Sequence, residues 1–129
     1  MSEVILLIDD LASHRRMVRF AIQLPGRKIL EAETCEQALR MIEGEKIDLL
    51  IAGENIATSC CVDVFPRLCR FSRNEMLPVV VTSHDRIQPE VLQGGTLGLF
   101  AWVQKPFRYA EIQQVVDQLI SRSRAIDKT

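Results

Sequence analysis

Three groups of residues in this 129-residue chain have side chains suited to chemistry, and each follows an apolar run. Asp9 and Asp10 follow Val4 to Ile8, Thr82 follows Pro78 to Val81, and Lys105-Pro106 follows Leu99 to Val103. Two carboxylates, a hydroxyl and an ammonium are the surround of a phosphoryl-accepting carboxylate. The run Asp48 to Ala52, which should deliver that carboxylate, ends instead at Gly53, which has no side chain.

The elements that must position these groups alternate along the chain. Val4 to Ile8 reads as a strand buried on both faces, as in a parallel sheet. Met17, Val18, Ala21 and Ile22 recur at helical spacing, and Pro25-Gly26 closes that helix. Lys28 to Leu30 is a short second strand. Cys35, Ala38, Leu39 and Ile42 mark a second helix that stops near Gly44. Ile47 to Ala52 is the third strand. Val62, Phe65, Leu68 and Cys69 form a third helical stripe, in which Pro66 fits only within the first turn, so the helix should start late, capped by Asp63, or kink. Pro78 to Val81 is the fourth strand. Ile87, Val91 and Leu92 indicate a helix weakened at its end by Gly94-Gly95. Leu99 to Val103 is the fifth strand. Ile112, Val115, Val116, Leu119 and Ile120 make the last helix, and the polar residues from Ser121 onward are expected to fray. The domain then covers residues 1–122, with a flexible tail over 123–129.

Five strands alternating with five helices imply a three-layer, doubly wound α/β fold with a five-stranded parallel sheet and right-handed crossovers. Ligand chemistry in such sheets gathers at the carboxyl ends of the strands. Asp9, Asp10, Gly53, Thr82 and Lys105 all fall there.

Composition narrows the class. The chain is 47% hydrophobic with a formal net charge of −1, which fits neither a disordered segment nor a nucleic-acid coat. No apolar run reaches membrane-spanning length, and Met1-Ser2-Glu3 does not begin a signal peptide, so a cytoplasmic location is expected. Cys35, Cys60, Cys61 and Cys69 lack metal-finger spacing; Cys35 and Cys69 read as small core residues, and Cys60-Cys61 as an oxidisable loop pair.

Four motifs together resemble the response-regulator receiver domain. They are Ile8-Asp9-Asp10 with Ser13, Arg15, Arg16 and Arg19; Asp48 to Asn55; Pro78 to Ser83; and Gly98 to Phe107. The resemblance covers about Glu3 to Ile120 and implies the strand order 2-1-3-4-5. It implies that Asp9 and Asp10 match metal-binding acids, with Asp10 the direct ligand of Mg²⁺, a cation that takes oxygen ligands. Thr82 matches the switch hydroxyl, Trp102 the switch aromatic, Lys105 the phosphate-binding lysine, and Pro106 a cis proline in a tight turn. Gly53 stands at the acceptor position. Ala57 and Cys61 also depart from the family's pattern, so the loop after the third strand differs as a unit.

Simpler readings stand beside these. Asp9 and Asp10 would also serve to cap the first helix or to pair with Lys105. Trp102 suits core or interface packing, His14 and His84 a solvated surface, and Arg15, Arg16 and Arg19 an exposed helix face. Glu54 should point away from the acceptor's side if the chain there is extended. Gly94 to Gly98 precedes a strand and so is no dinucleotide loop.

The sequence thus leads to a single-domain signalling module of a two-component or phosphorelay system rather than an enzyme, with no required cofactor and at most weak Mg²⁺ binding. It is expected to meet a protein partner (a histidine kinase, an effector or another signalling protein) as a monomer or weak homodimer, without nucleic acid or membrane. The expected partner surface includes Val91, Leu97, Trp102, Arg108 and Tyr109. A phosphorylatable domain using Glu54 or a displaced carboxylate, and a thiol-responsive regulator using Cys60 and Cys61, are the alternatives.

Overall fold

The computed structural model describes residues 3–56, 65–73, 76–84 and 99–127. Five strands form one parallel sheet: β1 (Glu3–Ile8), β2 (Arg27–Ala32), β3 (Leu49–Gly53), β4 (Pro78–Ser83) and β5 (Leu99–Gln104), in the order β2-β1-β3-β4-β5. Besides helical residues 54–56 after β3, the described helices are α1 (Ala12–Ile22), α2 (Cys35–Met41), α3 (Phe65–Leu68), which runs into a 3₁₀ turn at Cys69–Phe71, and α4 (Tyr109–Asp127). The strand order is the one the sequence motifs imply.

Both faces of the sheet are covered, which explains why its strands read as continuous apolar runs rather than alternating ones. Ile5, Leu7, Leu49, Ile51 and Val80 face α1 and α4, meeting Val18, Ile22, Ile112, Val116 and Ile120. Leu6, Ile8, Leu50, Ala52, Val79 and Val81 face the other way, toward Cys35, Ala38, Ile42 and Leu68. Each fully buried aliphatic side chain contributes about 1.5–3 kcal/mol. α2 is capped by Thr34, whose Oγ1 accepts from Gln37 N–H at 3.1 Å, while Gln37 Oε1 accepts from Glu33 N–H at 2.7 Å. Gly44, at φ +83°, lets the chain leave that helix in the left-handed region.

At the amino edge of the sheet, buried charges are tightly partnered. Arg27 donates to Ile22 O at 2.8 Å, Glu3 Oε1 at 2.8 Å and Asp117 Oδ1 at 2.9 Å. Burial opposes its charge, but Asp117 and Glu3 outweigh that and hold its pKa above the ordinary arginine value. Asp48 Oδ2 accepts from Val4 N–H at 2.8 Å, and its Oδ1 lies 3.0 Å from Arg73 Nε.

Several elements differ from the sequence reading. The residues from Ser121 onward do not fray: α4 is helical through Asp127, Ser123 is buried and donates to Met76 O at 3.0 Å, and Arg124 pairs with Glu3 at 3.5 Å. Tertiary contacts thus hold residues that polarity alone would leave in solvent, so a flexible tail does not begin at 123. Ile47 forms an isolated parallel bridge with Ser72 rather than opening β3. Cys35 is buried as expected and is also disulfide-bonded. The expected helix through Ile87, Val91 and Leu92, the cap Asp63, and Ala57, Cys60, Cys61 and Leu97 lie outside the described residues. Among the described residues, no helix is long and apolar enough to cross a membrane.

Candidate functional site at the carboxyl edge of the sheet

Strand register brings the chemical groups together. Ile8 is level with Ala52, so the next residue of each strand, Asp9 and Gly53, emerge side by side. Gly53 is level with Thr82, and Thr82 with Val103. Lys105 N–H donates to Ser83 O at 2.7 Å, and the Lys105–Pro106 peptide is cis, as the resemblance implies. The result is a cavity of about 200 Å³ lined by Asp9, Asp10, Leu11, His14, Glu54, Asn55, His84 and Lys105.

Asp9 occupies the space that a side chain at residue 53 would need. A Cβ added to Gly53 would lie 2.7 Å from both Cγ and Oδ2 of Asp9, inside van der Waals contact. The carboxylate is anchored there, because Oδ1 accepts from Leu11 N–H at 3.0 Å. Asp9 is buried, and its backbone carbonyl accepts from Arg15 at 2.6 Å. Leu11 itself is the N-cap of α1 and makes no side-chain cap bond, so Asp9 closes the turn before the helix rather than capping it. Asp10 is exposed and accepts from Asn55 Nδ2 at 3.2 Å.

Lys105 points into the cavity and is nearly fully buried. Its Nζ lies 2.5 Å from His14 Nδ1 and 3.8 Å from Asp9 Oδ2. A lysine ammonium carries only donors, so the imidazole nitrogen must be the acceptor when Lys105 is charged, with the ring proton on Nε2. Burial pushes the Lys105 pKa below its ordinary value; the charges of Asp9, Glu54 and Asp10 act in the opposite direction without cancelling the effect. Thr82 Oγ1 is buried and has no hydrogen-bond partner among the described residues.

The structure brings Asp9, Asp10 and Lys105 together at one cavity, and adds two residues for which the sequence favoured another place. Glu54 lines the cavity instead of pointing away, because residues 54–56 already turn as a helix and the two-residue alternation of a strand ends at Gly53. His14, read as a surface residue, is half-buried against Lys105; its place in the first turn of α1, four residues after Asp10, was the available signal. His84 is exposed at the cavity mouth, its ring 5.9 Å from that of His14. Trp102, on the edge strand β5, is half-buried against the core on the opposite face of the sheet. Arg108 and Tyr109 are exposed at the start of α4, whereas Val91 and Leu97 fall outside the described residues.

Mg²⁺ requires several oxygen ligands at one point. Asp9 is turned onto Gly53 and Leu11, and Asp10 is turned to Asn55. Among the described residues no group of three or more His, Cys, Asp or Glu is arranged to hold a metal. As placed, these side chains do not fit the ion that the motifs imply.

Comparison with known proteins bears on the whole chain. A model of the response regulator receiver domain matches residues 5–117. The chain belongs to that family. This receiver domain is 26% identical over 121 residues to the phosphate regulon transcriptional regulatory protein PhoB of Pseudomonas aeruginosa, a match covering 94% of this chain and 53% of that protein. It is 22% identical over 119 residues to chemotaxis protein CheY of the same species, covering 92% and 96% of the two chains. It thus spans about half the length of the first of these relatives. The chemotaxis response regulator CheY4 of Vibrio cholerae superimposes with a TM-score of 0.66 at 20% identity, covering 92% of this chain and 99% of that one. NtrX of Brucella abortus superimposes with a TM-score of 0.79 at 19% identity, covering 99% and 28%. These likenesses place the receiver domain in the fold shared by two-component response regulators.

Proposed function

We propose that this receiver domain signals without phosphorylation, as an atypical, non-enzymatic module that presents a fixed conformation to a protein partner in the cytoplasm. One observation carries the reading: Gly53 holds the acceptor position, and the Asp9 carboxylate fills the volume an acceptor would take. The lysine suited to bind a phosphoryl oxygen is engaged by His14 and drawn toward Asp9. Asp9 and Asp10 are then structural anions, and neither Mg²⁺ nor another cofactor is needed. A histidine kinase, an effector or another signalling protein is the class of partner, met by a monomer or a weak homodimer. Incubation with acetyl phosphate and Mg²⁺ followed by intact-mass measurement tests this. An unchanged mass is expected, and an acid-stable, base-labile phosphoryl adduct refutes the reading.

Two other readings each have one observation behind them. Glu54 lines the cavity and its charge acts on Lys105, which favours a displaced acceptor. An adduct that vanishes in Glu54→Gln would establish it. The disulfide at Cys35 favours a thiol-responsive domain, for which Cys60 and Cys61 are the candidate partners in sequence. In that case dithiothreitol would change the melting temperature or the oligomeric state; if it changes neither, the thiol reading is excluded.

A further inference from the structure

The lysines of this chain do not share one environment. Lys28 and Lys46 are exposed, and Lys28 pairs with Glu45 at 2.6 Å. Lys105 is only 7% exposed, yet it lines the cavity of about 200 Å³ at the carboxyl edge. The titratable groups that line the cavity with it are Asp9, Asp10 and His14 at the end of β1 and the start of α1, Glu54 after β3, and His84 after β4. Its hydrogen bond goes to an imidazole rather than to a carboxylate: Nζ lies 2.5 Å from His14 Nδ1, against 3.8 Å from Asp9 Oδ2. An ammonium bonded in this way can pass a proton along the bond and become a nucleophilic amine, the form that burial also favours.

We propose that Lys105 is a covalent modification site at which a small, uncharged aldehyde forms an imine. The proton balance closes inside the cavity. His14 Nδ1 takes a proton from the ammonium, and the Nζ lone pair attacks the aldehyde carbon. The C–N bond forms, and the carbonyl electron pair moves onto oxygen, which takes that proton from His14. His14 then receives a second proton from Nζ and gives it to the hydroxyl, which leaves as water while the C=N bond forms. The net change is ammonium plus aldehyde to iminium plus water, with nothing oxidised or reduced.

Charge selects the class of reactant. The iminium carries the same single positive charge as the ammonium, so Asp9, Asp10 and Glu54 keep a cation beside them. An acyl donor would leave an uncharged amide among three carboxylates, and an aldehyde bearing a carboxylate or a phosphate would add a further anion. Size restricts it too, since pockets for drug-sized ligands measure roughly 300–1,000 Å³, more than the cavity offers. This chemistry neither requires nor forbids a phosphoryl acceptor, and so goes beyond the function proposed above.

The test is to incubate the full chain with propanal and sodium cyanoborohydride, which reduces the imine and spares the aldehyde, and to locate the propyl groups by peptide mapping. Lys105 should be labelled about tenfold or more faster than Lys28, Lys46 and Lys128. Glyoxylate, an aldehyde that carries a carboxylate, should label Lys105 about tenfold more slowly than propanal when each rate is scaled to that at Lys46. His14→Gln keeps a hydrogen-bond acceptor that does not take up a proton, and should slow labelling about tenfold at Lys105 with no change at Lys46. A Lys105 that stays unlabelled, that reacts no faster than the other lysines, that takes glyoxylate as readily as propanal, or that is indifferent to His14→Gln would each overturn the proposal.

Discussion

The two edges of the sheet bury charge in opposite ways. At the amino edge, the Arg27 guanidinium makes three hydrogen bonds and Asp48 Oδ2 accepts from a backbone N–H, while Asp48 Oδ1 has the Arg73 ion pair at 3.0 Å but no hydrogen bond among the described residues. At the carboxyl edge, Asp9 accepts from Leu11 N–H and Lys105 meets His14, but the two charges lie 3.8 Å apart and the Thr82 hydroxyl has no hydrogen-bond partner among the described residues. Charge buried for stability tends to be fully satisfied. The carboxyl edge, whose ion pair is longer than those of Arg27 and of Asp48, follows that rule less closely, with Gly53 in its midst.

The contrast can be broken by substitution. Asp48→Ala removes the acceptor of a buried backbone N–H and strands Arg73, and should cost about 3 kcal/mol in urea-induced unfolding. A cost near zero would mean that the amino edge is no more dependent on its charges than the carboxyl edge. Gly53→Ala should cost about 1–2 kcal/mol, because the new methyl collides with Asp9. That penalty should shrink in an Asp9→Ala background, and a double-mutant cycle showing no coupling would contradict the contact. Thr82→Val deletes, at constant shape, a hydroxyl with no hydrogen-bond partner among the described residues and should leave stability within about 0.5 kcal/mol of wild type, or slightly above it. A large loss would reveal a hydrogen bond that the described residues do not provide.

The last and smallest effect depends on pH. Lys105 has a lowered pKa in the folded chain, so between that value and its ordinary 10.5 the unfolded state holds more protons. Stability should therefore rise with pH across that window relative to Lys105→Met, and below it the charged lysine should carry its full burial cost. Identical pH slopes in the two proteins would remove burial as the cause.

Much of this was legible in the residues themselves. Parallel, doubly covered strands announce themselves as unbroken apolar runs, and the turns at strand ends fix where Asp9, Thr82 and Lys105 must gather. What could not be read were facts of rotamer and of local winding. That Asp9 turns into the space beside Gly53 depends on a hydrogen bond to Leu11. That Glu54 enters the cavity depends on the chain coiling one residue after β3 ends. The persistence of α4 to Asp127 was hidden for a related reason: Ser123 and Arg124 look like solvent residues until Met76 and Glu3 are placed beside them.

Those final turns of α4 carry a practical lesson. Trimming the protein after residue 122, where hydropathy invites a cut, would uncover the Met76 carbonyl and release one of the two arginines that hold Glu3. The last stretch of helix acts as a clasp across the base of the sheet, and the smallest piece expected to keep its shape includes it.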